Sequence, residues 1–221
     1  EMDWVQRIKF GGLVDVPDEN GETRNQGTAA GMAFDLITEN SNEFERINLD
    51  KALVRGQLPK DANEVLLSED FAQKLEVNPG QAVTLISSTM YGGMAIYNFN
   101  VSGTVKFGSA VLDRGGIVAD ISGIQTALDM EDACGEILGY HKNTAIYNDE
   151  EALRIAASFN DKHIDNNDEF APVMKRLKEQ SFLGEYLELV DSMQGIVITV
   201  FILVMSIVLW NTGLIGGLRR Y

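Results

Sequence analysis

The sequence predicts an α+β fold that ends in a membrane-spanning helix. Before that helix, strand patterns and short helices alternate irregularly, which is typical of α+β domains and not of a doubly wound sheet. No residue from Met193 to Leu218 is charged, and about 20 apolar helical residues can cross a hydrocarbon core roughly 30 Å thick. Arg219 and Arg220 follow, which favours a cytoplasmic location for this end. The alternative is a buried core helix, although helices this long are rarely apolar on every side.

The first part of the chain predicts a β-hairpin. The run from Trp4 to Val16 alternates apolar and polar side chains, and so does the run from Met32 to Leu36. The turn-forming sequence from Pro17 to Gly21 lies between them, so we expect the two runs to pair as antiparallel strands. Further strands are expected on the same grounds. They cover residues 63–67, 82–87, 96–107, 116–119, 137–138, 144–147 and 170–174.

Short helices are expected at residues 69–75, 122–128 and 149–159, where apolar residues recur at helical spacing. The polar stretch 40–46 is a further candidate for a short helix. Ser68 and Asp149 stand at the N-cap positions of two of them, and Leu153 is expected on the buried face of the last. Residues 160–169 are predicted to form a polar loop. From about Arg176 a helical pattern continues into the apolar segment, so we expect one long helix that serves as stalk and span.

The net charge excludes several classes of partner. The chain of 221 residues has a formal net charge of −15. This acidity argues against binding to DNA, RNA or an anionic lipid surface, because all three require clustered Lys and Arg. It suits a domain held outside a membrane, with cationic residues kept for the cytoplasmic end. Cys134 is the only cysteine, so an internal disulfide is excluded, and a lone thiol does not identify the compartment.

No motif for catalysis or nucleotide binding is present. The glycine pairs lack the GK[ST] ending of a phosphate-binding loop, and no G-x-S-x-G occurs. Cys134 lies beside Ala133 and Gly135 with His141 near only in sequence, which is more typical of a buried small side chain than of a nucleophile. The sequence therefore predicts no catalytic residue, no cofactor and no enzyme activity in the chain itself.

Acidic residues crowd one stretch and raise the question of a calcium site. The residues are Asp161, His163, Asp165, Asp168 and Glu169. Counted from the first of them, Asn166 stands where an EF-hand requires glycine and Pro172 where it requires glutamate. His141 and His163 are not spaced as two ligands on one helix. A solvated loop is the simpler interpretation, and no metal site is predicted.

Five segments resemble one protein family when they are taken in order. They are Leu53-Val-Arg-Gly-Gln-Leu-Pro59, Asn63 to Leu75, Val77 to Gly80, Val83-Thr-Leu-Ile86 and Phe99-Asn-Val-Ser-Gly103. This series resembles the extracytoplasmic core of the FtsX/MacB-like ABC transporter permeases. The tail, with Asn211-Thr-Gly-Leu214 and Leu218-Arg-Arg220, is similar to the end of a membrane helix in that family. One departure is Gln57, where arginine is usual.

The resemblance implies a domain organisation with two lobes. The extracytoplasmic core would cover residues 1–178, with an outer lobe from 1–50 and 148–178 and an inserted lobe from 51–147. A stalk helix (179–192), a transmembrane helix (193–218) and a cytoplasmic end (219–221) would follow. The other membrane helices of the family are absent from the sequence, so we expect a piece of a permease that does not transport alone.

The resemblance also implies a mechanical function. In this family a separate cytoplasmic ATP-binding subunit drives the permease, a homo- or heterodimer surrounded by membrane lipid. The chain would transmit that movement to export, lipoprotein release or signalling, with its main domain periplasmic at the bacterial inner membrane. The resemblance indicates no substrate-binding residues. The alternative is a single-pass anchored ligand-binding or adhesion domain without an ATPase. A membrane-anchored hydrolase is a third interpretation, and it would need a pocket built around a histidine.

Overall fold

The chain forms two compact units, residues Glu1–Asn143 and Thr144–Tyr221. The structure is a computed structural model that describes residues 2–18, 20–39, 41–141, 147–163, 168, 171–180 and 183–218. Both α-helices and β-strands are present, which confirms the mixed class that the sequence predicted. The two units differ in secondary structure, because all the described strands belong to the first.

The described residues of the first unit form eight strands and five short helices. The strands are β1 (Met2–Pro17), β2 (Thr23–Phe34), β3 (Leu53–Gly56), β4 (Glu64–Ser68), β5 (Ala82–Ser88), β6 (Met94–Val105), β7 (Gly116–Asp120) and β8 (Glu136–His141). The helices are α1 (Glu43–Arg46), α2 (Leu49–Ala52), α3 (Glu69–Leu75), α4 (Ala110–Asp113) and α5 (Ile121–Ala127).

Six of these strands close into a barrel. Their order is β1-β2-β7-β4-β6-β5, and β5 pairs with β1 again. The β2–β7 and β4–β6 pairs are parallel, and the other four are antiparallel. β8 lies outside this ring and pairs with the N-terminal half of β1, while β3 pairs with the end of β6. Closure leaves the six barrel strands with neighbours on both sides, so the barrel itself has no open edge.

The main apolar core joins the barrel to α3 and α5. Phe71 and Leu75 of α3 and Ile124 of α5 are fully buried, together with Ile8 and Val14 of β1. Burying one such side chain stabilises the fold by about 1.5–3 kcal/mol. A second, smaller cluster gathers residues from four strands (β2, β4, β6 and β7), from α2 and from the chain just after β2. Its members are Phe34, Leu36, Leu49, Leu66, Val105 and Val118.

The predicted hairpin is confirmed. β1 and β2 are antiparallel, and their register runs from the Ile8–Ala33 pair to Pro17–Thr23. Strands from both expected lobes join the same barrel, because β1 and β2 come from residues 1–50 and the other four from residues 51–147. The short strand β3 was not predicted. It has only four residues, too few for an alternating pattern to be visible.

Two helix caps differ from expectation. Ser68 occupies the N-cap position of α3, but its hydroxyl donates to the Asp113 carbonyl oxygen at 2.9 Å and leaves the helix N–H groups alone. The buried helix α5 is capped by Asp120, whose Oδ1 accepts the Ser122 N–H at 2.9 Å. Tertiary contact thus redirects the predicted Ser68 cap. The other predicted cap, Asp149, is itself the first residue of the helix Asp149–His163 and does not occupy its N-cap position.

The second unit begins with α6 (Asp149–His163), which is longer than predicted. The helix includes residues expected in the polar loop, and residues 165 and 169 of that loop lie outside the described part of the chain. Ala156 is buried, but Leu153 is 49% exposed, so its predicted burial was wrong. The strand expected at residues 144–147 falls almost wholly outside the described residues.

The strand expected at residues 170–174 was also wrong over its described part, 171–174. The side chain of Asn160 on α6 replaces a neighbouring strand here. Its Oδ1 accepts the Met174 N–H at 2.8 Å, and its Nδ2 donates to the Met174 carbonyl oxygen at 3.0 Å. Because the Asn160 amide satisfies both the N–H and the carbonyl group of Met174, that residue needs no sheet partner.

A single helix, α7 (Leu183–Leu218), covers 36 residues. It begins after a 3₁₀ turn at Leu177–Glu179 and not at Arg176 as expected. Its stretch from Ser192 to Asn211 has a mean hydropathy of 2.4 and no buried residue. Such a length and composition are compatible with a membrane anchor, because a 20-residue helix is about 30 Å long.

Candidate functional site

A cleft of about 550 Å³ opens on the first unit beside the N-terminal half of β1. One wall is the strand itself, from Asp3 to Gln6. The opposite wall is the chain that follows β2, including Asp35, Ile37 and Glu43, and the floor includes the start of α5 at Asp120. The volume lies within the range of about 300–1,000 Å³ that is usual for ligand pockets.

Four charged side chains form a cluster beside the cleft, and two of them, Asp3 and Glu43, line it. Glu43 is 1% exposed and makes ion pairs with both Arg7 and Arg46, and Arg46 also pairs with Asp3 at 2.5 Å. The Arg46 guanidinium lies over the Tyr140 ring, 4.1 Å from its centre. Two arginines and two carboxylates make the cluster neutral. It therefore stabilises the packing of the elements that carry it and adds no net charge beside the cleft. It joins α1 to β1 and β8.

Burial and hydrogen bonding shift the pKa of Arg46 in opposite directions. Burial lowers the pKa of Arg46, but its hydrogen bonds to Asp3 and Glu43 raise that pKa above its ordinary value. The Arg7 guanidinium stacks on the Phe34 ring at 4.2 Å from its centre. Arg7 is therefore held by an aromatic face as well as by a carboxylate, which fixes the end of β2 relative to β1.

Two other carboxylates at the cleft have no cationic partner among the described residues. Asp120 is 2% exposed, and its Oδ2 accepts the Leu36 N–H at 2.9 Å. Half-buried Asp35 accepts the Thr38 N–H at 3.3 Å, a long bond. Both bonds come from uncharged N–H groups, so no ion pair among the described residues offsets the formal charge of either carboxylate.

A second polar network lies where the segments of the family resemblance meet. Glu69 at the start of α3 accepts the Thr104 hydroxyl at 2.6 Å, Arg55 Nε at 3.0 Å and Gln73 Nε2 at 2.7 Å. Arg55 also donates to the Asn78 side chain at 2.8 Å. The network connects β3, α3, β6 and the turn after α3. Its role is to hold these elements together, because Glu69 is largely buried.

Gly56 follows Arg55 in this network and has a backbone conformation that side chains disfavour. Its φ is +81°, and a Cβ at this position would collide with the Ser102 carbonyl oxygen. Only glycine fits such a left-handed position in close contact with another strand. The Gly56 turn is thus explained by packing and needs no ligand.

The residues singled out from sequence do not come together. Cys134 is half-buried against the main core, and burial raises the pKa of its thiol, as expected of an unreactive cysteine. His163 ends α6, where its ring stacks on Phe159 and its Nδ1 contacts the Phe159 carbonyl oxygen at 2.9 Å. Asp161 lies within the same helix. Within the described residues, no three His, Cys, Asp or Glu side chains are grouped to hold a metal.

Comparison with known proteins identifies no family. No family model matches the sequence, and no curated protein matches it.

The cleft beside β1 was not predicted from the sequence. Asp3 and Asp35 are two among 33 acidic residues, and no spacing distinguishes them from the rest.

Proposed function

We propose that the chain is part of the permease subunit of an ABC transporter, comprising its extracytoplasmic domain and one membrane helix. The observation that carries the proposal is α7, an unbroken helix with an apolar span from Ser192 to Asn211. A continuous helix is a suitable mechanical link, because backbone hydrogen bonds along its length resist bending. The resemblance from Leu53 to Gly103 supports the same family.

In this proposal the chain performs no chemistry itself. A cytoplasmic ATP-binding subunit hydrolyses ATP, and α7 transmits the resulting movement to the domain outside the membrane. The work done is export, lipoprotein release or signalling. The permease is a homo- or heterodimer in the bacterial inner membrane, with the acidic domain on the periplasmic side. We include in the same proposal a division of the extracytoplasmic domain into two lobes.

Affinity purification of the full-length protein from detergent-solubilised membranes tests the proposal. We expect an ATP-binding protein to be recovered in near-equal amount. A matched variant is cut after Ser192, which removes the span and keeps the described residues of the barrel. That variant should recover no ATP-binding protein, because the contact with the ATPase is cytoplasmic.

Purification of the full-length protein alone, under conditions that keep other transporters intact, would contradict the proposal. It would favour a single-pass anchored binding or adhesion domain. The cleft beside β1 is compatible with that alternative, because a binding domain needs a concave surface.

A further inference from the structure

β1 is longer than the strands on either side of it. It has 16 residues, but β2 pairs only with its part from Ile8 to Pro17. The part from Met2 to Arg7 pairs with β8. Because β2 ends as β1 continues, the N-terminal part of β1, Met2 to Arg7, extends beyond the barrel.

The direction of the main-chain groups shows which edge of β1 is free between Met2 and Arg7. The Arg7 carbonyl oxygen accepts the Gly135 N–H at 2.9 Å, so the main-chain groups of Arg7 face β8. Neighbouring residues in a strand direct these groups to opposite edges. Those of Trp4 and Gln6 therefore face away from β8. No main-chain partner for either residue exists on that side in the part of the chain that the structure describes.

This unpaired edge faces the cleft. Residues 3–6 form one wall of the cleft without interruption, and residues 35, 37, 38 and 41–43 line the other. Unpaired N–H and C=O groups along an edge are a template for a further strand. An added strand would lie in the position that β2 would occupy if it continued past Phe34.

We propose that the cleft binds an extended peptide segment of a partner protein, which adds a strand to β1 at Trp4 and Gln6 and places a lysine or arginine side chain near Asp35. Main-chain hydrogen bonds would supply affinity, and side-chain contacts would supply specificity. This inference does not depend on the ABC permease assignment.

Charge complementarity specifies the occupant. Among the described residues, no Lys, Arg or His lines the cleft, and the ion pairs around Glu43 leave Asp35 and Asp120 as the carboxylates without a cationic partner. A cationic side chain is favoured there and an anionic one is repelled. Trp4 is 50% exposed and Ile37 is 38% exposed, so apolar side chains of the segment have surfaces to contact. The segment is thus extended, partly apolar and basic.

Peptide binding to the full chain in detergent micelles tests the proposal. Trp210→Phe leaves Trp4 as the only tryptophan, so its fluorescence reports on the cleft. The probe is a capped hexapeptide that alternates valine and threonine around one central lysine. Two matched probes carry glutamate in place of lysine, or methyl groups on the main-chain nitrogens that would face β1.

We expect the lysine peptide to bind saturably and to slow hydrogen exchange of the Trp4 and Gln6 amides. The glutamate peptide should bind about tenfold more weakly, a difference of about 1.4 kcal/mol. The methylated peptide should not bind. Asp35→Asn should remove most of the difference between the lysine and glutamate peptides.

Variants at Gln6 test the edge directly. Gln6→Pro removes the N–H that faces the cleft and leaves the ladder with β8 intact, so it should abolish binding. Gln6→Ala removes only the side chain and should bind normally. The methylated peptide keeps the test valid if Gln6→Pro does not fold, because it acts on the unaltered protein.

Three results would overturn the proposal. One is no binding of the lysine peptide at millimolar concentration, and another is equal binding of the methylated peptide. The third is a dimer in analytical ultracentrifugation that Gln6→Pro dissociates, which would assign the edge to a second copy of this chain.

Discussion

Glu69 connects four elements of the barrel unit through one carboxylate. Burial raises its pKa and is the largest single effect, but hydrogen bonds from Thr104, Arg55 and Gln73, with the charge of Arg55, together lower that pKa below its ordinary value. A lowered native pKa means that the unfolded chain binds the proton more tightly. The carboxylate therefore contributes full stability above the unfolded pKa of about 4.3, and this contribution is lost as pH falls through the native pKa.

Glu69→Gln is expected to destabilise the protein by about 2 kcal/mol at pH 7, because hydrogen bonds to a charged group are replaced by neutral ones. Thermal unfolding in detergent as a function of pH measures this. The difference from the unaltered protein should shrink below about pH 4. Glu22→Gln, at an exposed position, should change little at any pH. A constant difference across the whole pH range would mean that the effect of Glu69 is steric.

Glu43 is the least exposed member of the charged cluster beside the cleft. Glu43→Gln leaves Arg7 buried with no carboxylate partner and should cost about 3–5 kcal/mol. Arg7→Met alone should also destabilise. The double variant should cost less than the sum of the two, with a coupling of about 0.5–3 kcal/mol measured by urea unfolding. Additive effects would show that the two side chains act independently.

At the scale of elements, one prediction concerns the continuity of α7. Val190→Pro falls inside the helix, where proline removes a backbone hydrogen bond, clashes one turn back and costs about 3 kcal/mol. Leu183→Pro falls at the first helical position, where proline is tolerated because the N–H of that residue has no helical partner. The expected result is a kinked helix only for the first variant.

Spin labels placed on both sides of position 190 would measure the bend. A full-length permease with Val190→Pro should keep its ATPase bound and lose coupled activity, while Leu183→Pro should retain coupled activity. The barrel unit should melt at an unchanged temperature in both. Full activity in a helix shown to be kinked would mean that α7 is only a tether.

The elements with local signals could be predicted from the sequence. The β1–β2 hairpin has alternation on both sides of a turn around Pro17, and α7 is apolar over a whole span. The neighbours in the barrel had no such signal. Ala30 pairs with Gly116, and nothing in either segment specifies that partner, because parallel pairing depends on the packing of everything between them.

The cleft could not be predicted for a related reason. It exists because β2 ends at Phe34 while β1 extends back to Met2. That mismatch depends on β8, which holds the N-terminal part of β1 in place from a distant part of the chain. A single sequence shows where strands are favoured, but it does not show which edge is left unpaired.

At the scale of the whole molecule, the two units differ in the solvent they require. A chain cut after Ser192 should be soluble, folded and acidic, whereas the whole chain should need detergent. The reason is the span from Ser192 to Asn211, whose side chains are exposed on every side and would associate in water. Analytical ultracentrifugation of both forms measures this. A monomeric whole chain without detergent would contradict the membrane assignment.

The closed barrel has a consequence for biosynthesis. Ribosomes deliver the β1–β2 hairpin before β7, so the outer edge of β2 has no partner until Gly116–Asp120 has been made. Pairing across so long a stretch of chain is slow. During this interval the hairpin presents an open edge to other nascent chains, a known route to aggregation. A product arrested before this strand therefore carries an unclosed barrel, and we expect proteases to remove it.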